Sequence, residues 1–126
     1  MRSGLRSWSV ALAAAVLSST AMAGLKSSQN VVINTGSMFA NGDSGFVHNS
    51  SDGDQYIFCR ISGSTGTCYA RNRDQVSRSC STTNSTLLNN IRYIHGDSYI
   101  YFKWNDDGVC TTITVENGSV TRPKEH

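Results

Sequence analysis

Residues 98–116 read SYIYFKWNDDGVCTTITVE. Two runs rich in β-branched and aromatic residues, 98–104 and 109–116, flank Asn105-Asp106-Asp107-Gly108. That quartet favours a tight turn, because Asn and Asp side chains bond their own backbone and Gly accepts a positive φ. An antiparallel hairpin is predicted. Pairing Trp104 with Val109 sets Phe102 opposite Thr111 and Ile100 opposite Ile113. Side chains alternate along a strand, so Ile100, Phe102, Trp104, Val109, Ile113 and Val115 share the expected core face. Tyr99, Tyr101, Lys103, Thr112 and Thr114 share the other.

Upstream, residues 55–62 alternate in the same way, with Ile57, Cys59 and Ile61 on one face and Tyr56, Phe58 and Arg60 on the opposite one. Gly63-Ser64-Thr65-Gly66 turns the chain, residues 67–72 return as a strand, and residues 76–81 extend a three-stranded meander. Val31-Val32-Ile33 predicts a first strand. Residues 34–54 are rich in Gly, Ser, Asn and Asp, which predicts loops around one or two short strands. One helix is expected over residues 85–94. There Leu87, Leu88, Ile91 and Ile94 fall on a single face, Thr83 or Asn84 caps the start and Gly96 ends it. Residues 53–58, GDQYIF, echo residues 96–101, GDSYIY, as two hairpins of similar plan would. The expected fold is all-β or mainly β: a small antiparallel sandwich or curled meander with one short helix.

Residues 1–23 open on a short basic start with Arg2 and Arg6. They continue through an apolar segment, Trp8 to Leu17, and end in Ala21-Met22-Ala23. This is the pattern of a cleaved export signal, too short and too soon polar to span a bilayer. Its removal leaves 103 of 126 residues, enough for one domain. Residues 24–54 form the first strand and loops, residues 55–119 the disulfide-linked β core, and residues 120–126 a tail that is expected to fray. The leader also takes two of 11 basic residues, leaving nine against nine acidic ones. A neutral mature chain gives no support to nucleic-acid binding, and no membrane-spanning segment follows the leader. The local excess of Arg60, Arg71, Arg73 and Arg78 reads as a solvated face.

Cys59, Cys68, Cys80 and Cys110 all lie beyond the leader. An even count in a small exported chain predicts two disulfides, and gaps this wide do not match the close pairs of a zinc site. Cys68 and Cys80 lie symmetrically about Asp74, and Cys59 and Cys68 flank the turn at residues 63–66. All three connectivities stay open.

No catalytic set emerges. Gly42-Asp43-Ser44-Gly45 spells the surroundings of a nucleophilic serine with His48 nearby, but it lies in a Gly/Ser-rich stretch and reads as a turn. Asp43, Asp52 and Asp54 with Asn49 and Ser50 lack the closing glutamate of a calcium loop and read as turn formers. His95 falls in the last turn of the expected helix, where a cation suits the carbonyl end. No metal or cofactor is expected. The candidate binding surface is aromatic: Tyr99, Tyr101 and Lys103, with Trp104, and Tyr56 with Phe58 in the related strand.

Residues 54–119 resemble a group of small exported Gram-negative bacterial proteins of no assigned activity. The resemblance is carried by Gln55-Tyr56-Ile57-x-Cys59, Ala70-Arg71, Ser79-Cys80-x-Thr82-x-Asn84, residues 96–102 and Cys110. It implies export and a β-rich disulfide domain, and transfers no catalytic residue. The expected function is non-catalytic: binding or inhibiting another protein in the periplasm or outside the cell. The alternatives are a carbohydrate- or envelope-binding module using its tyrosines, and a small hydrolase using an Asp/His pair.

Overall fold

The hairpin at residues 98–116 forms, with a changed register. In the computed structural model, which describes residues 28–118, 120, 121 and 123, strands β6 (Tyr99–Trp104) and β7 (Cys110–Glu116) pair antiparallel. The leader assigned to residues 1–23 and the last three tail residues lie outside the described ones. Ile100 faces Val115 and Phe102 faces Ile113, and a bulge between Lys103 and Trp104 then sets Trp104 opposite Cys110. The expected pairing is thus off by one residue at the turn and by two further along.

The turn explains the shift. Asn105 N–H donates to the Val109 carbonyl at 3.1 Å and Gly108 N–H to the Asn105 carbonyl at 3.0 Å, with Gly108 at φ +74°. The Asn105 Oδ1 atom accepts from the N–H groups of Asp107 and Val109. Val109 is therefore spent closing the loop, and it stays 45% exposed instead of joining the core. The extra residue, Thr111, has a structural effect. Strict alternation from Ile113 would aim Cys110 away from the core, whereas the bulge turns it inward.

Two antiparallel sheets share one core. Strands β1 (Val32–Asn34) and β2 (Phe39–Asp43) complete the first, in the order β1-β2-β6-β7. The second is the expected meander of β3 (Tyr56–Ser62), β4 (Thr65–Arg71) and β5 (Ser77–Thr82). Gly63 takes φ +62° at the first central position of the two-residue β3–β4 turn, as a type II′ turn requires. The inner faces meet through Ala40, Ile100, Phe102, Trp104 and Ile113 from the first sheet and Ile57, Cys68, Ala70 and Cys80 from the second. Burial of these side chains is the main stabilising term. The echoing segments begin β3 and β6, one in each sheet.

Two short helices are present where one was expected. Helix α2 (Ser85–Arg92) starts as anticipated, Asn84 Oδ1 accepting from the Thr86 and Leu87 N–H groups, a cap worth about 1 kcal/mol. It buries Leu88 and Ile91 and packs on β7 of the first sheet as well as on β3 and β4 of the second. Gly66 makes room for these two side chains: a Cβ there would lie 2.6 Å from Ile91 Cδ1 and 2.8 Å from Leu88 Cδ2. The helix ends at Tyr93, so His95 lies beyond its last turn, and its N–H donates to Ser98 Oγ. Helix α1 (Ser44–Asn49) replaces the turn expected at residues 42–45: Gly42 and Asp43 end β2, and Ser44 and Gly45 begin the helix. The described part of the tail is tied down. Thr121 is buried and hydrogen-bonded to the Gly118 carbonyl, and the Pro123 carbonyl accepts from Asn49 Nδ2.

The disulfides are Cys59–Cys68, between neighbouring strands of the second sheet, and Cys80–Cys110, which joins the two sheets. Cys68 faces Cys59 across one strand pair and Cys80 across the other, so both alignments read from the sequence exist as register. The inward-turned Cys110 takes Cys80.

Candidate aromatic binding face

Strand alternation sends Ile57, Cys59 and Ile61 toward the core and Tyr56, Phe58 and Arg60 to the outer face of the second sheet. The register places Tyr69 directly opposite Phe58. The two rings stack with centroids 4.9 Å apart and planes at 23°, and Tyr56 leans on Phe58 at 5.8 Å. Arg60 lies 5.1 Å above the Tyr69 ring and its Nη2 donates to the Tyr69 hydroxyl at 3.0 Å. Such contacts contribute about 0.5–1.5 kcal/mol per aromatic pair and about 0.5–1 for an exposed cation over a ring. Their further effect is to hold three rings and a guanidinium in one orientation. Phe58, in the middle, is 42% exposed.

Each side of this row is hollow. On one side Tyr56 and Tyr69 border a shallow groove with Ser77, Arg78 and Ser79. On the other, a cleft of about 410 Å³ opens between α1, the start of β3 and residues 94–96. Its apolar surface comes from Val47, Ile57, Phe58, Ile94 and Ile100, and its polar side chains are Ser44, Gln55, Tyr56, His48 and His95. Gln55 is fixed by its neighbours: its Oε1 accepts from Val31 N–H and its Nε2 donates to Asp52 Oδ2 at 2.9 Å.

The cleft gathers a serine and both described histidines, yet the serine proton is committed elsewhere. Ser44 Oγ lies 2.8 Å from the Ser98 carbonyl and 3.0 Å from that of Gly96, tying the β2–α1 junction to the start of β6. Asp43 is fully buried, and its Oδ2 accepts from Gln29 N–H. These bonds position backbone rather than assemble a nucleophile with its base.

Asp52 organises a turn. Its Oδ1 accepts from the Asp54 and Gln55 N–H groups, and its Oδ2 also meets Arg73 Nε at 3.3 Å. The Gln55 side chain, then the Gln55 and Asp54 amides, hold its carboxyl well below the usual carboxylate range.

The residues singled out in the sequence divide between the sheets. Tyr56 belongs to the row just described. Tyr99, Tyr101 and Lys103 lie half-buried on the outer face of the first sheet, where Tyr101 stacks on Phe39 at 5.6 Å. Burial, then Glu116, Asp43 and Tyr101, push the Tyr99 phenol up, so it stays protonated further into alkaline conditions. Trp104 is buried against Phe102, as the core-face reading required, and is not part of a surface. Sequence reasoning missed Tyr69, although folding residues 59 and 68 together about the Gly63 turn pairs it with Phe58. It also missed the cleft, whose lining runs from Ser44 to Ile100 and so brings together segments far apart in the chain.

No family model, curated protein or solved structure matches this chain.

Proposed function

We propose that this protein is a non-catalytic binding protein that engages, and so blocks, another protein through the outer face of its three-stranded sheet. The observation that carries the reading is Phe58, 42% exposed at the centre of a fixed row of rings. Burying a large exposed ring beside a tyrosine and an arginine is how a few residues dominate protein–protein affinity. The scaffold suits that use. Cys59–Cys68 lies directly behind the row and Cys80–Cys110 anchors its sheet to the other, so little freedom is lost on binding. Two disulfides fit an oxidising compartment.

A second reading has one observation in its favour. On the other sheet Phe39, Tyr101 and Lys103 border Asn41 and Thr112, a mixture of rings and hydrogen-bonding groups that suits a polysaccharide. One experiment separates the two. The double variant Phe58→Ala with Tyr69→Ala is expected to keep its folded circular-dichroism spectrum. It should lose a stoichiometric protein captured by the wild type from periplasmic or culture fractions, with affinity falling at least 100-fold. Capture that survives this variant rejects the reading. Retention on cell-wall polysaccharide that is lost in Tyr99→Ala with Tyr101→Ala supports the alternative instead.

A further inference from the structure

We propose that the partner docks an extended segment along the open edge of β3, placing one bulky apolar side chain in the adjoining cleft and a neighbouring carboxylate beside Arg60. This inference rests on the reading above and adds the chemistry of the partner. It starts from hydrogen-bond parity. β3 is an edge strand of its sheet. Ser62 and Thr65 pair across a two-residue turn, which makes them a hydrogen-bonded pair. Cys59 and Cys68 have Cα atoms 4.0 Å apart, matching the close, non-hydrogen-bonded kind. The two facts agree: Phe58 and Arg60 bond β4 through their main chains, while the N–H and C=O groups of Ile57, Cys59 and Ile61 point away from the sheet. Among the described residues no hydrogen bond reaches those outward groups.

An open row of donors and acceptors is a template for another strand. Here it borders the 410 Å³ cleft, which Ile57 and Phe58 both line. A strand added to β3 presents alternate side chains to opposite faces, one set over Phe58 and Arg60, the other toward Ile57 and the apolar cleft. Charge selects the rest. Arg60, exposed on the outer face of the same strand, supplies a fixed positive charge beside the edge. The complementary segment is therefore acidic beside its apolar anchor.

The test pans a random heptapeptide phage library on the full-length oxidised protein, then titrates one synthetic selected peptide by nuclear magnetic resonance. Enriched sequences should carry a bulky apolar residue within two positions of Asp or Glu. The peptide should slow amide exchange at Ile57 and Cys59 at least tenfold. Methylating alternate peptide nitrogens should weaken it at least tenfold, since those groups can no longer donate. No enrichment, protection elsewhere, or indifference to methylation overturns the proposal. If panning fails while Phe58→Ala with Tyr69→Ala still abolishes partner capture, the edge falls and the aromatic face stands. If capture ignores those substitutions but the peptide protects Ile57 and Cys59, the reverse holds.

Discussion

Phe102→Ala is expected to lower the unfolding free energy by about 3–5 kcal/mol, read as a shift of the urea midpoint at unchanged slope. Phe102 is fully buried in β6. Its strand neighbours are Ala40 on β2 and Ile113 on β7, and its ring leans on Trp104 at 5.8 Å. Ala40 has no side chain that can swing into the vacated space, and Ile113 is held in a paired strand. The cavity therefore persists, and its cost adds to the lost transfer free energy. In a domain whose whole stability is about 5–15 kcal/mol, such a loss leaves a substantial unfolded population at physiological temperature. Tyr93→Ala is the control. That side chain is 65% exposed, and the change should stay within about 0.5 kcal/mol. A cost under about 1 kcal/mol for Phe102→Ala would mean that the two sheets do not close on this ring.

The disulfides should differ in worth. Cys80–Cys110 spans 30 residues and Cys59–Cys68 spans 9. Loop-closure entropy then assigns about 3.5 kcal/mol to the first and about 2.5 to the second. Packing widens the gap. Cys80 and Cys110 are both buried between the sheets, whereas Cys59 is only half-buried. Replacing Cys80 and Cys110 together by Ala is expected to destabilise more than replacing Cys59 and Cys68, in matched chemical denaturation. It should also loosen the second sheet from the first, because among the described residues this is the only covalent bond between them besides the chain itself. Equal losses, or a larger one for the Cys59–Cys68 pair, would count against an inter-sheet bridge that outweighs the local one.

How much of this was legible depends on the range of the information. The faces of β3 and β6 were readable because alternation is local: Ile57 against Phe58, Ile100 against Tyr101. The α2 cap was readable because Asn84 acts on amides two and three residues away. Register at the β6–β7 turn was not. It turns on Asn105 closing the loop against Val109, which displaces every later pair and sends Cys110 inward. Helix α1 was hidden for a different reason. Six residues containing Gly45 carry too little periodicity, and so short a helix owes its stability to burying Gly45 and Val47 against the rest of the fold. The aromatic face was half legible. Tyr56 and Phe58 share a strand face, but Tyr69 joins them only once the Gly63 turn fixes the pairing, and Tyr99 and Tyr101 prove to belong to the other sheet. The cleft drew on α1, β3 and residues 94–96, and no local pattern connects those.

The most direct check is amide-exchange mass spectrometry on the complex that the wild-type protein captures, compared with the free protein. Protection concentrated in residues 56–60 and 67–71 is the predicted footprint. Unchanged exchange there, with protection falling on residues 99–103 instead, would place the interface on the opposite sheet and contradict the account.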